Sequence, residues 1–329
     1  MPLTHRERLE TTLSGEKPDR PPIALWHHFP VDDQNAINLA EATIAFQKRF
    51  DFDLVKVMPA SSFCLKDWGA QDEWRGDPQG TRDYTHRVIT HPDDWAKLPL
   101  LDPNKGFLGQ QLRCLALLQE AFSDHTPVLQ TIFNPLSQAK NLVGQQQLLA
   151  HLRQFPDAVH QGLKIIQETT SRFLDSAKNC GISGIFFAIQ HASHLELTDN
   201  EYQEFGVAYD LPLLETADDL WANMAHIHGE SIMFNTIAEY PVQILNWHDR
   251  ETSPSLEEGL NLFNGTVCGG ISRIDSFLFG SPKDIKEEVR TAIDRTGGKR
   301  LILGTGCVLP ITTPYGNILS ACKAAEGKI

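Results

Sequence analysis

The chain has 329 residues, 41% hydrophobic and 22% charged, ordinary proportions for a globular protein. Its formal net charge of −13 leaves no basic stripe to release counterions, which excludes nucleic acid and an anionic membrane surface as partners. No run of about 18 apolar residues occurs, the N-terminal MPLTHRERLE is too polar for a secretory leader, and six scattered cysteines without a CxxC pair suit a reducing compartment. A cytoplasmic location is therefore expected.

Thr4 followed by Glu7 is the pattern of a capping box and opens an extra N-terminal helix. Beyond it, short apolar runs alternate with longer amphipathic stretches. The runs at 22–26, 54–58, 128–132, 184–188, 224–227, 242–246, 266–269 and 301–304 are apolar without alternation, the pattern of strands buried on both faces. Helical periodicity or start signals occupy 34–49, 106–123, 157–179, 199–219, 231–239, 255–263, 282–296 and 314–325. Ser281-Pro282 and Thr313-Pro314 each place a cap residue before a proline, and Gly297 ends a helix. Eight strand-then-helix units predict an α/β fold, the closed (β/α)8 TIM barrel, as one domain over 1–329. The connection of about seventy residues between the second and third strands is too long for a simple crossover. Its turn signals at Gly76-Asp77-Pro78 and Gln79-Gly80 predict a hairpin, so that about 60–103 form a lid-like insertion over the barrel mouth.

In such a barrel the reactive groups gather at the C-terminal ends of the strands. The first strand is followed by His27 and His28, the second carries Lys56 and Met58, and the third ends at Asn134. The fourth leads to Gln190, His191 and His194, the fifth carries His226 and His228, and the sixth runs into Trp247, His248 and Asp249. The eighth ends in GTGC, with Cys307. Seven of the thirteen histidines thus fall at strand ends. His226 and His228, two residues apart on an extended segment, face one side, and two neutral imidazole nitrogens there suit Zn²⁺. Cys307 is placed to add a thiolate from across the bore. His191, His248, Asp249 and Lys56 are the groups expected to handle protons. His27, His28, Met58, Asn134, Gln190 and Trp247 are expected to line the substrate site. Two of these have structural alternatives: Lys56 as the partner of a barrel carboxylate, and Asp249 as the cap of the next helix.

The stretches LTHRERLETTLSGEKPDRPPIALW, FDFDLVKVMP, TIFNPLSQAKNLVG, QHASHLELTDNEYQEFGVAYDLPLL and LILGTGCVLPITTPYGNILSACKAA carry a resemblance to the uroporphyrinogen decarboxylase superfamily over nearly the whole chain. The resemblance implies a (β/α)8 barrel with its site in the central cleft. Members that decarboxylate uroporphyrinogen carry an arginine-rich motif just after the first strand. This chain has WHHFPVDD there. Members that transfer alkyl groups hold zinc with His-x-Cys-Gly after the fifth strand and a cysteine after the eighth. Here these motifs are His226-Ile227-His228-Gly229 and Gly306-Cys307, so His226 and Cys307 match and His228 stands in the place of a cysteine. The resemblance implies a zinc-dependent methyl or alkyl transferase, or a lyase, acting on a small thiol or a corrinoid-linked substrate. A corrinoid protein or a second copy of the chain is then an expected partner. Cofactor-free decarboxylation of uroporphyrinogen or a smaller acid is the alternative.

Overall fold

The computed structural model describes residues 2–123 and 125–327. Helix α1 (His5–Leu13) starts at Thr4, whose hydroxyl accepts the Glu7 backbone N–H while the Glu7 carboxylate accepts that of Thr4, as the sequence predicts. After α2 (Ala36–Phe50) come the first barrel strand β1 (Val55–Lys56) and then an antiparallel hairpin, β2 (Gln71–Glu73) and β3 (Asp83–His86). Helix α3 (Gly106–Phe122) leads to β4 (Val128–Phe133), followed by α4 (Pro135–Val143), α5 (Gln145–Gln154) and α6 (Pro156–Lys178). The remaining strands are β5 (Gly184–Ile189), β6 (Met224–Ile227), β7 (Ile244–Trp247), β8 (Thr266–Ile271) and β9 (Leu301–Thr305). Helices α7 (Asp199–Tyr202), α8 (Ala208–Glu215), α9 (Phe234–Ala238), α10 (Leu256–Leu262), α11 (Pro282–Thr296) and α12 (Tyr315–Ala325) fill the intervals.

Seven parallel strands form one curled sheet in the order β1-β4-β5-β6-β7-β8-β9. The eighth stave is residues 22–26. Pro21 and Pro22 have no N–H to give to a ladder, so the segment pairs sparsely. Ala24 donates to the Leu303 carbonyl at 2.9 Å, Leu303 donates to that of Pro22 at 2.8 Å, and Asp53 donates to that of Ile23 at 2.9 Å. These bonds join β9 to the approach of β1 and close a TIM barrel. Every residue of β4 to β9 is buried, because the bore fills one face and the helices cover the other.

The structure corrects the sequence reading in three places. No helix was expected over 135–154, yet α4 and α5 occupy it. At nine and ten residues, α4 and α5 are shorter than the stretch of about 11–18 residues over which helical periodicity is read, and the polar Ser137, Gln138 and Asn141 of α4 are buried. The single helix expected over 199–219 is α7, a π-helical turn (Gln203–Val207) and α8. Gly206 is required there, since a Cβ at that position would lie 2.5 Å from the Tyr202 ring. Thr313 makes no cap: α12 begins after Pro314, whereas Ser281 does cap α11 and Gly297, at φ 66°, ends it. Among the described residues no helix is long and apolar enough to cross a membrane.

Candidate metal centre and active-site cavity

Four side chains from the ends of β6, β7 and β9 converge at the C-terminal mouth. The ligating atoms of His226, His228, His248 and Cys307 all lie within 4.8 Å of one another. His226 is on β6, and His228 extends the same edge by donating its N–H to the Ile189 carbonyl at 2.9 Å, so the two rings share the bore face. His248 follows β7. Cys307 follows β9 at Gly306, where a Cβ would come within 2.5 Å of the His248 backbone; glycine lets the two loops pass that closely.

The orientation of each ring can be derived. His226 stands opposite Asn246 in the β6–β7 register. The Asn246 amide nitrogen donates to the carbonyls of Cys268 at 2.8 Å and Thr305 at 3.0 Å, so its oxygen must accept from His226 Nδ1 at 2.7 Å. That fixes the Nδ1–H tautomer and leaves the Nε2 lone pair toward the cluster. His248 Nδ1 donates to Glu251 Oε2 at 3.1 Å, leaving its Nε2 3.3 Å from His228 Nδ1. Cys307 Sγ is 3.9 Å from His226 Nε2 and 3.8 Å from His228 Nδ1. A tetrahedral Zn²⁺ with ordinary Zn–N and Zn–S bonds has edges of about 3.3–3.6 Å. Three of the separations, 3.3, 3.8 and 3.9 Å, are within a few tenths of an ångström of these edges, and the four donors as a set, spread over no more than 4.8 Å, would have to draw together to hold an ion. Burial alone would push the Cys307 thiol up, but its contacts with the three imidazoles outweigh it and hold the thiol well below its ordinary range.

A cavity of about 390 Å³ opens beside the cluster. Of the residues the sequence pointed to, His28, Lys56, Met58, Gln190, His226, His228 and Cys307 line it. Lys56 has no carboxylate partner among the described residues, so the ion-pair alternative falls. Its ammonium lies 4.1 Å above the Phe186 ring and 2.7 Å from Met58 Sδ, and burial pushes its pKa down to about 7. Burial, with Lys56 nearby, pushes His28 down to about 3.

Other expected residues are placed elsewhere. His27 donates to the His28 carbonyl at 2.7 Å and packs on Phe29 and Phe46. Asn134 is fully buried, caps α4 and donates to Asp210, which also accepts from Tyr202 and Tyr240. Trp247 packs on Phe234 and donates to the Pro254 carbonyl at 2.7 Å. Asp249 turns outward to accept the Gly270 N–H at 3.0 Å beside α10 and α11, and burial raises its pKa to about 7. It does not cap the next helix, which Ser255 caps. His191 is buried 3.2 Å from Glu196 Oε2, with its pKa pushed down to about 3 by burial.

The sequence reading missed Lys140, Arg82, Arg87 and Tyr84, all of which line the cavity. Three come from the hairpin strand β3 and its approach. Arg82 is paired with Asp72 at 3.2 Å and Asp33 at 3.5 Å, while Arg87 stacks on Tyr84 and donates to the Asn141 carbonyl at 2.7 Å. Lys140, the one solvated residue of α4, donates to Gln190 at 2.8 Å. A single lysine within PLSQAKNLV is the signal that would have found it.

The sequence matches the family described as Uroporphyrinogen decarboxylase (URO-D) over residues 4–327. The chain belongs to the uroporphyrinogen decarboxylase family. A search of curated proteins gives no match. Among solved structures, a methyltransferase from Methanosarcina mazei shares the fold with a TM-score of 0.86 at 18% identity, covering 99% of both chains. A B12-independent methionine synthase from Shewanella sp. W3-18-1, solved with selenomethionine, gives a TM-score of 0.58 at 13% identity over 94% of both chains. These two are related in fold. The mouth of this barrel brings one cysteine together with three histidines, and the loop after the first stave carries no arginine.

Proposed function

We propose that this chain is a zinc-dependent methyl or alkyl transferase of the uroporphyrinogen decarboxylase family that acts on a small anionic thiol. The observation that carries the reading is the convergence of three imidazoles and one thiol, their ligating atoms within 4.8 Å of one another, on the wall of the mouth cavity. His226, His228 and Cys307 would hold the ion, with His248 in the fourth position until a substrate thiol displaces it. When bound, Zn²⁺ supplies the Lewis acidity that keeps a substrate thiol deprotonated at neutral pH.

The chain's own residues supply the rest. Asn246 and Glu251 orient two of the rings. Lys56, Arg82, Arg87 and Lys140 line the cavity, and among the described residues no carboxylate does, although the whole chain carries a formal charge of −13. A cationic cavity in an acidic protein attracts an anion. At about 390 Å³ the cavity is at the small end of ligand sites, which suits a small thiol with an acidic tail. Lys56 and Lys140 would bind the tail, and Trp26, Phe186 and Met58 would exclude water from the sulfur. With one thiolate rather than two, the site carries one more positive charge than the His-x-Cys-Gly arrangement, so it captures a thiol at lower pH and leaves it less basic. The two structural neighbours are described as a methyltransferase and a B12-independent methionine synthase, which favours methyl transfer; a corrinoid-linked methyl group is one donor this reading includes.

The test uses Co²⁺-loaded protein titrated with 3-mercaptopropionate and with neutral 2-mercaptoethanol. A new sulfur-to-metal charge-transfer band, appearing at about tenfold lower concentration with the anionic thiol, is expected. Absence of any thiol-dependent band sinks the transferase reading and returns the cavity's cations to the decarboxylase alternative, as carboxylate anchors.

A further inference from the structure

Of the four groups that converge at the mouth, His248 alone is held from outside the barrel wall. His226 is oriented within the sheet by Asn246; His248 follows β7 as directly as His228 follows β6, but its ring is steered by residues beyond the strands. His248 Nδ1 donates instead to Glu251, and Glu251 is gripped by Arg273, with Nε donating to Oε1 at 2.8 Å and Nη2 to Oε2 at 3.2 Å. The remaining arm of the guanidinium, Nη1, donates to Gln79 Oε1 at 2.6 Å. Arg273 is in the loop after β8, whereas Gln79 is in the turn between β2 and β3. A chain of three side chains therefore joins the hairpin insertion to the cluster.

The turn itself is firmly seated. Ile311 donates to the Pro78 carbonyl at 2.8 Å, tying the turn to the loop after β9. Asp77 accepts the Gln79 N–H at 2.8 Å. Gly80, at φ +79°, lies so close to His28 that a Cβ there would be 2.4 Å from the histidine's own Cβ. Gln79 and Gly80 also line the cavity, so anything bound there meets this turn.

We propose that Gln79 and Arg273 are positioning residues for His248. By holding Arg273, the hairpin turn holds Glu251 against His248 Nδ1 and keeps Nε2 aimed at the other three ligands. The fourth ligand is then complete only while the hairpin is seated, and the coordination of the site and the covering of its mouth are one structural state. The inference rests on reading the cluster as a metal centre.

The experiment titrates purified wild type, Gln79→Leu, Gln79→Glu and Arg273→Ala with Co²⁺ alone and records visible absorption and affinity. Gln79→Leu removes the acceptor opposite Arg273 without changing size, and Gln79→Glu restores it. Loss of an outer partner of a metal-bound histidine typically lowers affinity about tenfold or more. Gln79→Leu and Arg273→Ala are expected to show that loss, with a weakened four-coordinate band. Gln79→Glu is expected to match wild type, and Gln79→Leu and Gln79→Glu are expected to melt at the same temperature. Unchanged affinity and spectrum in both Gln79→Leu and Arg273→Ala would overturn the relay while leaving the metal centre standing. Absence of a Co²⁺ spectrum in wild type would overturn the metal centre itself, and the relay with it.

Discussion

Asn246 decides which nitrogen of His226 faces the bore. Its amide is locked by two carbonyls from neighbouring strands, so the ring has one tautomer before any ion arrives. Asn246→Ala should lower zinc affinity about 10–100-fold, the usual effect of losing a partner of a ligating histidine. It should also cost about 1–3 kcal/mol of stability, because the Cys268 and Thr305 carbonyls are left unsatisfied. Metal titration and denaturant unfolding on one preparation check both. Lys140 makes a different prediction. Burial, reinforced by Arg87 and opposed by Glu196, pushes its pKa down to about 8. It is charged below that pH and neutral above, so attraction for an anionic thiol should be full near pH 7 and fade as the pH rises through 8. Lys140→Met should lose about tenfold in affinity for 3-mercaptopropionate at pH 7, keep its affinity for the neutral thiol, and remove the part of the pH dependence centred near 8, leaving that of Lys56 near 7. Equal losses for both thiols would mean that Lys140 only supports the fold.

The elements that build the barrel were legible because buried parallel strands are continuous apolar runs, and β4 to β9 fall within a residue or two of the expected positions. The hairpin followed from its turn residues. Helix α4 was not legible because its nine residues are too few for periodicity to stand out from the connection around them, and with it Lys140 escaped notice. The site shows the same division. His226, His228 and Cys307 stood out by spacing and strand-end position. His248 as their neighbour, and Asn134, Trp247 and Asp249 as residues turned away from the cavity, depended on side-chain directions that no spacing encodes. One further element carries a stability prediction. Asp53, just before β1, accepts from Arg8 and Arg20 at 2.6 Å each and from the Ile23 N–H at 2.8 Å, and His5 is also in contact; the residue ties α1 to the first stave. Burial opposes its charge, but His5 and the arginines win and hold its pKa below the ordinary value. A depressed carboxylate pKa means stabilisation that is present above its unfolded value near 4 and lost as pH falls through the lower folded value. Asp53→Asn should therefore cost about 1–3 kcal/mol at pH 7, because Arg8 keeps its two-bond pair with Asp19 while the contacts to Arg20 and the Ile23 N–H are weakened. The gap to wild type should narrow on acidification. Urea melts at pH 7 and pH 3 decide it, and a gap that widens in acid would contradict the assignment.

On the scale of the whole molecule, charge is sorted rather than spread. The chain is acidic overall, yet the residues lining its mouth contribute lysines and arginines without a carboxylate, and the cluster of histidines and Cys307 opens on the same cavity. The family resemblance by itself fixes the barrel and the location of the cleft, not the reaction. What separates transfer from decarboxylation is whether the four converging side chains hold a metal. The most direct measurement is the zinc content of protein purified from zinc-replete medium, wild type beside His226→Ala and Cys307→Ala. The account predicts about one zinc per chain in wild type and well under half of that in each variant. Wild type that holds no zinc, or variants that hold as much as wild type, would contradict it.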